Sequence, residues 1–115
     1  MKFNNTGINE LYTVDINRLE DERGFFGRVF CSQEFDEMDL ESTVCQANIS
    51  YNKVAGTLRG MHYQIENAQD KLVRVISGEV FDVAVDLRKS SPNFGKWVGE
   101  ILSADNKKQL FVPKG

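Results

Sequence analysis

Histidine is nearly missing from this chain: His62 is the only one among 115 residues. Transition-metal sites in β-rich folds draw several ligands from His and carboxylates, so a lone imidazole without a thiolate cluster argues against a resident metal. Cysteine is almost as scarce. Cys31 and Cys45 form no C-x-x-C pair and cannot make a disulfide framework, so both are expected to be reduced, small and buried, as in a cytoplasmic protein. No block of Lys or Arg occurs and the formal net charge is −3, which disfavours nucleic acid or an acidic membrane as partner. No apolar run reaches transmembrane length, and none near the N-terminus resembles a signal peptide. The P-loop, the G-x-G-x-x-G turn and the nucleophile elbow are absent as well. Metal-free acid–base chemistry remains.

What is present suits one β-rich domain. Hydrophobic residues make up 41% of the chain and eight are Phe, enough to bury a core. Alternating or apolar stretches run over Leu11 to Ile16, Phe25 to Phe30, Val44 to Tyr51, Thr57 to Gln64, Lys71 to Ser77, Glu79 to Leu87, Trp97 to Ser103 and Gln109 to Val112. Clusters of Gly, Asn, Asp, Ser and Pro separate them, the pattern of an all-β sandwich or barrel. Only Ser32 to Met38 has a helical look.

Parity assigns faces, because alternate residues of a strand share one side. Over Val44 to Tyr51, Cys45, Ala47, Ile49 and Tyr51 form a mainly apolar face. Gln46, Asn48 and Ser50 form a polar one, which suits either solvent or a ligand pocket. Over Glu79 to Leu87 both faces are largely apolar, so this strand is expected to be internal. Asp82 within it then lines a cavity, caps a backbone N–H, or pairs with Lys71 or Arg74.

Residues 57–88 gather unusual chemistry among their apolar residues: Arg59, Gly60, His62, Lys71 and Asp82. Imidazole is the usual general base near neutral pH. A guanidinium offers a planar fork to phosphate, and glycine lets a ligand come close. An ammonium such as that of Lys71 can stabilise an oxyanion, and base plus oxyanion stabiliser is what proton removal α to a carbonyl requires.

Several blocks then align with a known family. Asp21-Glu22-Arg23-Gly24-Phe25-Phe26, Gln46-Ala47-Asn48-Ile49-Ser50, Leu58-Arg59-Gly60-Met61-His62-Tyr63-Gln64, Lys71-Leu72-Val73-Arg74, Phe81 to Arg88 and Ser91-Pro92 resemble the dTDP-4-dehydrorhamnose 3,5-epimerases, in one order along nearly the whole chain. The resemblance implies a cupin-like jelly roll, a homodimer that exchanges N-terminal strands, and neither metal nor cofactor. It implies epimerisation of a dTDP-4-keto-6-deoxyhexose on the route to dTDP-L-rhamnose or a related deoxysugar. His62 would remove the C5 and C3 protons, and Lys71 would stabilise the enolate at the C4 oxygen. Arg59, Gln46 and Asn48 would hold diphosphate and sugar, while Arg23 and Phe26 would reach the neighbouring subunit's ligand.

Two departures stand out. Arg28 occupies a position where these epimerases carry Glu. The chain also ends at Val112-Pro113-Lys114-Gly115, before the His-Gly-Phe stretch, the Tyr and the Asp of the family. The expectation is therefore a jelly roll lacking its last third, weak or inactive in inversion. Other readings of the same residues are a nucleotide-sugar ketoisomerase of this fold and a non-catalytic nucleotide-sugar-binding remnant.

Overall fold

A computed structural model describes residues 1–115. Its centre is a four-stranded antiparallel sheet in the order β1-β2-β8-β5, formed by β1 (Lys2–Asn5), β2 (Tyr12–Asp15), β8 (Gln109–Val112) and β5 (Lys71–Arg74). Two separate hairpins flank it: β3 (Arg18–Asp21) with β4 (Gly24–Gly27), and β6 (Glu79–Val85) with β7 (Trp97–Ser103). The helix α1 covers Ser32–Asp36. The fold is nearly all-β and cupin-like. No helix is long and apolar enough to cross a membrane.

Strand β8 holds the molecule together because its successive side chains point to opposite faces. Leu110 joins Ile8, Leu11 and Leu102 in one buried cluster, while Phe111 joins Val14, Phe35 and Leu40 in the other. Helix α1 has no side-chain cap at Cys31, so its five residues rely on tertiary packing. Phe35 supplies it, meeting Phe3 edge-on at 5.2 Å, Phe111 at 5.7 Å and Phe30 at 5.0 Å between ring centroids. Buried Gln109 donates from Nε2 to the Val29 carbonyl at 3.0 Å, which anchors the chain between β4 and α1 to the sheet.

Strands β7 and β8 have the boundaries expected from alternation, β2, β5 and β6 lie within the expected stretches, and β4 begins one residue before its own, at Gly24. Four expectations fail. The stretches Val44 to Tyr51 and Thr57 to Gln64 form no strand. Their apolar side chains stand in the open, with Leu58 92% exposed. A strand is stable only against a neighbour that accepts its backbone hydrogen bonds, and neither stretch lies beside one here. Strand β6 is likewise not internal: it pairs with β7 alone, and Phe81 is exposed, its ring lying across Gly99. Cys45 is exposed rather than buried, and Cys31 is half-buried. Strands β1 and β3 were not expected, since Lys2–Asn5 and Arg18–Asp21 carry too few apolar residues to show alternation.

Candidate active site

Lys71 opens β5 at the edge of the central sheet. Its Nζ donates to Gln64 Oε1 at 3.0 Å and to the Gln69 carbonyl at 3.4 Å. The ammonium is thereby fastened to the backbone stretch that carries His62, two residues before Gln64. Glycine makes the bend next to that histidine possible. Gly60 has φ +122°, in the region that favours glycine, and a Cβ there would lie 3.6 Å from His62 Nδ1. The His62 ring thus lies beside Gly60, next to the space a side chain at that position would take.

Arg59 donates from Nε to Asn52 Oδ1 at 2.7 Å. Nothing in the chain accepts from its Nη1 and Nη2 groups, so the end of the fork is open to a bidentate anion. Gln46 and Asn48 are exposed on the same segment, and their side chains make no hydrogen bond to the protein. Asp82 sits half-buried on β6 opposite Glu100 of β7. Of the alternatives for Asp82, pairing with Lys71 or Arg74 does not form: Lys71 is taken by Gln64 and Gln69, and no cation approaches the Asp82 carboxylate. Glu100 has its own partner, Lys108, at 2.9 Å. Burial pushes the Asp82 carboxyl above its ordinary range, with the Val83 N–H partly opposing the shift.

Arg23 and Phe26 stand apart on the β3–β4 hairpin. No hydrogen bond or ion pair joins that hairpin to the His62 segment. It is fastened instead to the turn after β7: Arg18 Nη2 donates to the Asn106 carbonyl at 3.3 Å, and Arg18 and Lys107 lie 5.2 and 5.9 Å from the Phe25 ring centre. At the tip, Arg23 Nη2 meets Asp21 Oδ2 at 2.5 Å, which holds the Asp21 carboxyl below its usual range. Phe26 and its cross-strand partner Leu19 are both exposed. Arg28 pairs with Glu34 of α1 at 2.7 Å.

The structure therefore ties Lys71 to Gln64, on the exposed segment that also carries His62, Arg59, Gln46 and Asn48. Arg23, Phe26 and Asp82 lie on other elements. Asn52 and Gln64 were missed as site residues from sequence. The available signal was their common spacing, each lying seven residues before the cation it serves.

The sequence pattern of dTDP-4-dehydrorhamnose 3,5-epimerases matches residues 5–115. A Shigella flexneri dTDP-4-dehydrorhamnose 3,5-epimerase is 57% identical over 112 residues, which are 96% of this chain and 61% of that protein. The crystal structure of the enzyme of that name from Elizabethkingia anophelis superposes with a TM-score of 0.94 at 43% identity, covering 100% of this chain and 63% of the other. A Legionella pneumophila dTDP-6-deoxy-D-glucose-3,5-epimerase, solved in complex with dTDP-4-keto-L-rhamnose, gives a TM-score of 0.80 at 44% identity, over 99% of this chain and 61% of that one. The chain thus spans about three fifths of the length of these relatives. With a match along almost all of its residues, the chain belongs to the dTDP-4-dehydrorhamnose 3,5-epimerase family.

Proposed function

We propose that this protein serves the 3,5-epimerisation of a dTDP-4-keto-6-deoxyhexose, on the route to dTDP-L-rhamnose or a related deoxysugar. One observation carries the reading: the Lys71 ammonium is hydrogen-bonded to Gln64, two residues from His62. A base and an oxyanion stabiliser are thus held on adjoining backbone. The C4 carbonyl acidifies the C3 and C5 protons, His62 takes each in turn, a Lys71 N–H meets the C4 oxygen as the enolate charge develops, and a proton from solvent water added to the opposite face of the enolate carbon completes each inversion. Arg59 receives the diphosphate through the open end of its fork, and Gln46 and Asn48 hydrogen-bond nucleotide and sugar. Asp82 adds a carboxyl of raised proton affinity on β6.

The reading includes a homodimer with exchanged N-terminal strands, in which Arg23 and Phe26 complete the partner's site. The exposed Leu19–Phe26 pair at a hairpin lying away from His62 supports such a contribution in trans. It also places the enzyme in the cytoplasm, a setting that the free Cys31 and Cys45 thiols suit.

The experiment is incubation with the dTDP-linked ketosugar in D₂O, following deuterium at C3 and C5 by NMR. His62→Gln should slow incorporation by about 10²–10⁴, the usual cost of a lost general base, while dTDP affinity is retained. A variant exchanging at the wild-type rate rejects His62 as the base. A wild-type protein that neither binds dTDP nor exchanges rejects the whole reading.

A further inference from the structure

Carboxylates neutralise four side-chain cations, Arg23 through Asp21, Arg28 through Glu34, Arg88 through Asp86 and Glu10, and Lys108 through Glu100, and Glu34 also pairs with the N-terminal ammonium. Arg59 and Lys71 are treated differently. Each is held by the oxygen of a neutral amide seven residues earlier: Asn52 Oδ1 accepts from Arg59 Nε at 2.7 Å, and Gln64 Oε1 accepts from Lys71 Nζ at 3.0 Å. We propose that Asn52 and Gln64 are positioning residues that aim these two cations while leaving their charge available to an anionic ligand. The inference rests on the epimerase reading, with a diphosphate facing Arg59 and an enolate oxygen facing Lys71.

The chemistry favours an amide at both places. A carboxylate would grip either cation more strongly, but it would also cancel the field that an incoming anion must feel. An amide oxygen supplies direction without charge. Taking Arg59 through Nε leaves Nη1 and Nη2 side by side, the edge that matches two phosphate oxygens. Lys71 has three N–H donors, and Gln64 and the Gln69 carbonyl accept two of them. One donor is left for a ligand oxygen. Ordering the two long side chains before binding removes a cost that the ligand would otherwise bear.

Substitutions that keep shape but add charge separate this role from a structural one. Asn52→Asp and Gln64→Glu preserve the acceptor oxygen, whereas Asn52→Ala and Gln64→Ala remove it. Calorimetry with dTDP and with inorganic pyrophosphate should show Asn52→Asp binding both about tenfold more weakly than wild type, and more weakly than Asn52→Ala, with kcat little changed. Gln64→Glu should lower the deuterium-exchange rate about tenfold or more at near-normal dTDP affinity. It should also slow modification of Lys71 by anionic trinitrobenzenesulfonate relative to Gln64→Ala, a readout independent of turnover. A structural role would make the Asp and Ala variants alike and move KM and kcat together; that result overturns the proposal. If wild type binds pyrophosphate but neither binds dTDP nor exchanges deuterium, the epimerase reading falls, while the Asp-against-Ala comparison on pyrophosphate and the Lys71 labelling still decide this one. A wild type that binds neither anion overturns it, since the charge of Arg59 is then not on offer.

Discussion

Arg88 grips Asp86 from two residues away, its Nε 3.0 Å from one carboxylate oxygen and its Nη2 3.0 Å from the other. The same guanidinium reaches across the chain to Glu10 at 2.6 Å and to the Asn9 carbonyl at 2.9 Å. Ser91 Oγ donates to the buried carboxylate at 2.6 Å. Together these contacts tie the end of β6 to the loop between β1 and β2. They also hold the Asp86 carboxyl well below the usual carboxylate range, the Arg88 hydrogen bonds being the largest cause.

Asp86→Ala should therefore unfold at markedly lower urea, with a stability loss of about 3 kcal/mol at neutral pH from leaving the half-buried Arg88 and Ser91 without their buried carboxylate. Because the folded-state pKa lies below the unfolded value of about 4, the stabilisation is present above that pH and is lost as the medium is acidified below it. The gap between wild type and variant in urea titrations should narrow as pH falls below about 4. A gap that is constant with pH would contradict the assignment.

Phe35→Ala should be the costliest single truncation in the core. Its ring is 1% exposed and meets three other rings, so the loss of packing and the cavity together should cost about 3–5 kcal/mol. Helix α1 depends on this side chain, and chemical denaturation followed by circular dichroism gives the number. A loss below about 1 kcal/mol would mean that the aromatic cluster is not a true core.

Asp82 titrates in the opposite sense to Asp86. Burial raises its folded-state pKa, so its contribution to stability is favourable below the unfolded value of about 4 and is lost as pH rises through the raised value. Asp82→Asn should flatten the fall in stability above about pH 4 and leave the protein no less stable at neutrality. If Asp82 takes part in the reaction, deuterium exchange falls in the same variant. Lower stability at neutral pH, measured by urea titration, would indicate a pairing role instead.

Sharing of sites between subunits is tested by mixing two inactive variants. Arg23→Ala and His62→Gln damage different halves of the proposed composite site. In freely exchanging equal mixtures, about a quarter of all sites are intact, so activity should return to about a quarter of wild type. Confirmed heterodimers without any recovery would show that Arg23 acts on its own subunit's ligand.

Local pattern was enough for much of this chain. Trp97–Ser103 and Gln109–Val112 declare themselves by alternation and turn residues at their ends, and the structure gives both these boundaries. Residue type alone made His62, Arg59 and Lys71 candidates, because it offers an imidazole, a guanidinium fork and an ammonium. Alternation misled at Val44 to Tyr51 and Thr57 to Gln64, where the same apolar rhythm produces no strand.

Pairing explains the difference, and pairing is not local. Sequence by itself determined which segments could be extended, which side chains are candidates for proton chemistry, and the family to which the chain conforms. Only the tertiary structure decided that β8 would lie between β2 and β5 and that Asp82 would go without a cation. A backbone hydrogen bond or a side-chain contact depends on what the rest of the chain brings within about 3 Å, and no window of neighbouring residues carries that information.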